Sequence, residues 1–266
     1  MIVEADDFLA ESDTLAKAIQ RLAPDAFEAE TQFKGWTTNV VLRRLHCVNQ
    51  AAHMALTDEA AFLDYATGLR AASSMRAFEH AWLNGLSGPE LAATWIANAR
   101  ATAAAFRDAD PKARLRWFGP SMSARSSIAA RQMETWAHGQ EVFDLLGEAR
   151  VEGDRLRNIA HLGVNTYGWT FANRGLEPPG PPPHVRLTAP SGAVWAWNEP
   201  NQGDFISGEA VEFCQVVTQT RNIADTRLIV AGAQAAMWMS LAQCFAGAPS
   251  DPPAVGTRFR APRRLA

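Results

Sequence analysis

Residues 176–183, LEPPGPPP, constrain this chain more than any other stretch. Five prolines in eight residues lack amide donors and fix φ, so neither a helix nor a central strand can run through them. The segment reads as a stiff, extended connector, and the chain is patterned differently on its two sides. At 266 residues with 47% hydrophobic content, the chain can bury one large core or two ordinary ones. The pattern favours two: a helical domain over 1–150 and a smaller α+β domain over 151–266, with the connector at about 175–184.

The first region carries helical periodicity. ADDFLAESDTLAKAIQRL places acidic residues in a first turn, where the helix dipole favours them. GWTTNVVLRRLHCVNQAAHMAL starts at Thr37 as N-cap, with an apolar stripe through Val41, Leu45, Val48 and Ala52. SGPELAATWIANARATAAAFRDAD offers Ser87 as cap, Pro89 in the first turn and Glu90 as the capping-box partner. A last helix runs from about Ser123 to Leu146 and stops at Gly147. Four long amphipathic helices predict a four-helix bundle.

Beyond residue 150, YGWTFANRG closes a helical piece, and HVRLTAPSGAVWAWNEPNQGDF reads as two strands around a Pro-Ser-Gly turn, the second at Val194–Trp197. SGEAVEFCQVVTQT is expected as a helix capped by Ser207, and DTRLIVAGAQAAMWMSLAQCFAG as another ending at Gly247.

The formal net charge of −3 and the lack of a basic face argue against nucleic acid; the tail RFRAPRRLA reads as a solvated end. Cys47, Cys214 and Cys244 are odd in number and widely spaced, which points to a reducing compartment and against disulfides or a thiolate metal site. The acidic start MIVEADDFLAES lacks a signal peptide's basic and apolar regions, and the long apolar stretch near residue 235 is broken by Gln234, Ser240 and Gln243. A cytoplasmic protein without membrane contact is expected.

The chemistry concentrates in RQMETWAHGQE. Glu134 and His138 lie four residues apart, hence on one helix face, among apolar neighbours such as Ile128, Ala130 and Leu145. An unpartnered carboxylate there costs several kcal/mol, which a divalent cation would remove by taking both side chains as ligands. A third ligand would have to come from a facing helix, and His46 in RRLHCVNQ is the candidate; His53, seven residues on, reads as pocket lining or core. The bland alternative is a hydrogen-bonded Glu–His pair and a core histidine. Cys47 points about 100° away from His46. Glu141 and Asp144 read as solvent-facing helix charges, and Arg125 and Arg131 as residues that attract an anion or pair with nearby acids.

GWTTNVVLRRLH and SMSARSSIAARQMETWAHGQEVFDLLG resemble the two ligand-bearing helices of the DinB-like superfamily, in the branch typified by mycothiol-dependent maleylpyruvate isomerase. That branch shows a His in the second helix after a GWT start and an R-x-x-E-x-x-x-H motif in the last bundle helix. Gly35-Trp36-Thr37, Arg131, Glu134, His138, Val142, Asp144 and Gly147 stand in those motifs here. The resemblance extends over nearly the whole chain and implies a bundle followed by an α+β domain similar to sterol-carrier-type folds. It implies His46, Glu134 and His138 as metal ligands, zinc or another divalent ion, a low-molecular-weight thiol, and Arg221 in TQTRN as a carboxylate-binding residue.

Such a site lowers the pKa of bound water or thiol. The expected activity is thiol-dependent isomerisation or thiol transfer on a small anionic unsaturated acid, without a protein nucleophile. Metal-activated water in a hydrolase or hydratase is the alternative, and an iron facial triad ranks below it. A non-catalytic reading gives the bundle a structural metal and lets Trp195, Trp197, Trp238, Met237 and Met239 line a lipid-sized cavity. A small-molecule partner and a homodimer complete the expectations.

Overall fold

The computed structural model describes residues 1–261. They divide into two compact units, Met1–Glu148 together with Ala261, and Ala149–Arg260.

The first unit is helical. α1 (Glu4–Ile19) opens with Glu4, Asp6 and Asp7 against its dipole. α2 (Thr38–Thr57) begins where the Thr37 hydroxyl accepts from the Val40 amide at 3.4 Å. α3 (Glu59–Ala71) is capped by the Asp58 carboxylate and α4 (Met75–Trp82) by the Ser74 hydroxyl. These two short helices fill a stretch that the four-helix expectation left open.

α5 (Gly88–Arg107) starts at Ser87, but no side chain caps it, so the capping box is not made. Instead the amide of Gly88 donates to the Asn39 side chain at 2.7 Å, a partner 49 residues away. A two-stranded hairpin, β1 (Arg114–Leu115) and β2 (Met122–Ser123), leads into α6 (Ala124–Leu146). The Ser123 hydroxyl caps α6, and Gly147 ends it in the left-handed conformation at φ 69°.

α1 packs on α5 and α6, and α2 packs on α5, α6, α3 and α4. Trp95, Phe106, Phe8, Leu15, Leu42, Leu45 and Phe62 are buried at the centre, and each such side chain contributes about 1.5–3 kcal/mol. The interior also holds polar side chains: Asn49, Thr102, Ser127 and Thr135 are almost fully buried. Glu141 and Asp144 belong to it as well. Both are buried rather than solvent-facing, with Gln140 donating to Asp144 at 2.9 Å.

The second unit contains α7 (Arg157–Asn165), α8 (Tyr167–Ala172) and a four-stranded sheet. β3 (His184–Thr188) and β4 (Val194–Trp197) form the expected antiparallel hairpin, Leu187 opposite Trp195. β5 (Phe205–Glu209) runs parallel to β3 on its other side, and α9 (Ala210–Val217) packs on both. β6 (Ile229–Ala231) closes the order β4-β3-β5-β6, and α10 (Ala233–Leu241) follows it.

Two expected helices are therefore each a strand followed by a helix. Ser207 is a β5 residue, not a cap, and residues 229–231 pair with 205–207. Both strands are short and run into their helices with at most one residue between, so a single continuous helix is the simpler reading of each stretch. At the second junction the chain turns at Gly232, φ 91°, and the Asp204 carboxylate accepts from the amides of Gln234 and Ala235. That cap comes from 30 residues upstream, out of reach of any local pattern.

The tryptophan and methionine set is divided between core and surface. Trp238 and Met239 are core, Trp238 edge-on to Tyr167 at 5.2 Å and Phe213 at 5.9 Å, while Met237 is exposed. Trp197 donates its indole N–H to His161. Arg258 is buried and donates to the Gln219 carbonyl rather than reaching solvent. Burial lowers its pKa to about 10. Residues 262–266 of the basic tail lie outside the described residues.

Candidate active site

The site is built on α2, α4, α6 and the turn before α2. Lys34 and Gly35 both take left-handed backbone, φ 53° and 63°, and this turn delivers Trp36 against the helices. The indole stacks on the His138 ring of α6, centroids 5.1 Å apart and planes 15° apart, with Phe33 tilted against the same imidazole at 5.6 Å. The guanidinium of Arg44, from α2, lies 5.2 Å from the Trp36 ring and that of Arg76, from α4, lies 5.4 Å from it. Trp36 thus gathers an imidazole and two cations.

Arg44 donates its Nε to Glu79 of α4, a carboxylate whose side chain is 3% exposed. Burial pushes the Glu79 carboxyl up, and Arg44 partly offsets this. Glu134 pairs with Arg131 one turn earlier at 3.3 Å. Burial pushes the Glu134 carboxyl up as well, but Arg131, His138 and Arg44 together outweigh it and hold it below the usual carboxylate range. Arg131 is 3% exposed and lies 4.9 Å from the Trp117 ring. Its Nε and Nη1 are buried without a hydrogen-bond partner. Three arginines face two carboxylates here, so the site carries a positive excess suited to an anion.

Glu134 and His138 are brought together as expected, but the third expected ligand is not. His46 faces α5, where its ring meets the backbone of Thr94, and its Nδ1 is buried without a partner. Burial holds its pKa below the ordinary histidine value. Among the described residues, no group of three or more His, Cys, Asp or Glu side chains is placed to hold a metal ion. His46 does not join Glu134 and His138 in such a group. The α2 side chain that acts on Glu134 is Arg44.

Helix phase offers a partial signal for this. At 100° per residue, Arg44 lies about 70° from the centre of the Val41–Leu45–Val48–Ala52 stripe, and His46 about 130° from it. The signal is weak because α2 is buried on nearly every side. Glu79 and Arg76 escaped the sequence reading because nothing local pairs them with α2.

The protein's own thiols are not poised to react. Burial pushes the Cys47 thiol up to about 12 and raises Cys214 strongly; Cys244 is also buried. Arg125 pairs with Glu4 at 3.4 Å. Arg221 belongs to the second unit, where its Nη1 donates to the Thr220 carbonyl. His53 is half-buried, its Nδ1 also without a partner.

A helical unit that sets a carboxylate and an imidazole one turn apart under a GWT-start tryptophan, followed by a small mixed sheet, defines a DinB-like protein of the maleylpyruvate isomerase type. Residues 8–143, just over half the chain, match the model of the mycothiol maleylpyruvate isomerase N-terminal domain, and the chain belongs to that family. It is 38% identical over 248 residues to two uncharacterized proteins of Mycobacterium tuberculosis, one from strain CDC 1551 / Oshkosh and one from strain ATCC 25618 / H37Rv. That match covers 91% of this chain and 95% of each relative. The crystal structure of a mycothiol-dependent maleylpyruvate isomerase shares the fold, with a TM-score of 0.50 at 13% identity over 80% of this chain and 86% of that one. Among the described residues, no helix is long and apolar enough to cross a membrane.

Proposed function

We infer that this protein is a thiol-dependent enzyme of the isomerase type, acting on a small anionic, unsaturated acid at the Glu134–His138 site. The observation that carries this reading is the placement of Glu134 and His138 among Arg44, Arg76 and Arg131 beneath the Trp36 ring. Membership of the mycothiol maleylpyruvate isomerase family supports the thiol, and the buried cysteines leave the nucleophile to an external one. In this reading a low-molecular-weight thiolate adds to the conjugated double bond and the electrons pass to the acid's carbonyl. The resulting single bond rotates, and elimination expels the thiolate. The guanidinium groups hold the carboxylate and the charge that develops during addition. His138, whose ring is fixed against Trp36, delivers and removes the proton.

The test is incubation of the purified protein with mycothiol and maleylpyruvate, and in parallel with other α,β-unsaturated acids, following the ultraviolet absorbance of the conjugated system. Thiol-dependent turnover that falls by about 10²-fold or more in Glu134→Gln and His138→Ala is expected. Turnover that needs no thiol, or that survives both substitutions, would overturn the assignment; the first result would make water the nucleophile.

A further inference from the structure

We propose that the site works without a divalent metal ion, because α2 brings a guanidinium, that of Arg44, to the Trp36 ring on which His138 stacks, and so offers an anion-binding fork there instead of a third ligand. The proposal deepens the functional reading above and rests on it for the identity of the site.

The arrangement argues this from three sides. A metal held by Glu134 and His138 needs a further donor from a facing helix, since two side chains do not make a site. The candidate on α2, His46, is turned to Thr94 of α5. The side chain that α2 does present is a cation, fixed by Glu79 and the Trp36 ring. A second positive charge brought to the same carboxylate would meet repulsion from Arg44 as well as from Arg131, whose Nη2 already binds Glu134.

The donors left over are those an anion uses. Arg44 spends its Nε on Glu79, and among the described residues its two Nη groups make no hydrogen bond. Arg131 spends Nη2 on Glu134, while its Nε and Nη1 are buried and unmet. Buried guanidinium donors without partners are costly to leave so, and the planar fork matches a carboxylate better than any point charge does. The positive charge facing the reacting acid is thus built into the protein.

Zinc alone tests this. Purified wild-type protein and Glu134→Gln are equilibrated with zinc, dialysed without chelator, and analysed for metal against protein concentration. Both are expected to keep the same trace. Arg44→His supplies an imidazole in place of the cation and is expected to raise uptake from a trace to stoichiometric, the gain vanishing when Glu134→Gln is added. Because Arg44→His strips Glu79 of its partner, Arg44→His with Glu79→Gln is made alongside, and circular dichroism identifies which of the two is folded.

Stoichiometric zinc in the wild type that Glu134→Gln loses would overturn the proposal. So would a folded Arg44→His variant that gains no zinc, since Arg44 would then not be what keeps metal out. Failure of thiol-dependent turnover sinks the functional reading and leaves the zinc result unaffected.

Discussion

Trp36 and His138 stack face to face across 5.1 Å, although one comes from a left-handed turn and the other from the middle of a helix a hundred residues later. The pair ties the start of α2 to α6, and the indole also carries Arg44 and Arg76. Trp36→Ala removes a side chain that is nearly buried and leaves a cavity. A loss of about 3–5 kcal/mol in urea denaturation is expected. Trp36→Phe, which keeps a ring face, should lose less than half of that.

Arg44 and Glu79 form a largely enclosed ion pair, the carboxylate side chain 3% and the guanidinium 20% exposed. Removing one partner leaves the other stranded, so Arg44→Met and Glu79→Gln should each cost about 3 kcal/mol, toward the low end of the range because Arg44 keeps some solvent contact. The double variant Arg44→Met/Glu79→Gln should recover much of the loss. A double-mutant cycle on urea midpoints measures the coupling; additive losses would show that the pair contributes nothing.

His46 is held neutral by burial, its pKa below the ordinary 6.5. The unfolded chain takes up a proton at this histidine below about pH 6.5, and the folded protein does not until lower pH. This contribution to stability is therefore complete above pH 6.5 and is lost as pH falls from there toward the folded value. His53 is shifted in the same direction by burial. The slope of unfolding free energy against pH between 5 and 6.5 should flatten in His46→Gln, and flatten further with His53→Gln added.

Gly232 turns the chain from β6 into α10 at φ 91°, and a Cβ there would sit 2.4 Å from the Gly203 carbonyl oxygen and 2.8 Å from the Asp204 Cα. Backbone cannot step aside as a flexible side chain can. Gly232→Ala should destabilise the second unit by more than 2 kcal/mol. The control Gly256→Ala, where a Cβ meets nothing within 4 Å at φ 71°, should cost clearly less.

The helical half was legible because its signals are local. Thr37 and Gly147 sit where the caps were expected, the last helix begins beside Ser123 as expected, and periodicity marked α1, α2, α5 and α6. What escaped is what distant residues decide. Asn39 replaces the capping box of α5, Asp204 caps α10, and β5 and β6 exist only because they pair with each other and with β3. The site followed the same division. Glu134 and His138 share a helix face and were readable; the choice between Arg44 and His46 depended on which neighbour of a nearly all-buried helix lies on which side.

The small sheet ends on strands of four and three residues, β4 and β6, whose Val194 and Ile229 side chains are exposed. An apolar margin of that kind invites a stranger's backbone to dock and propagate, yet so brief a ladder offers an intruder only two or three hydrogen bonds. Brevity here protects against aggregation, and lengthening either strand by design would remove that protection.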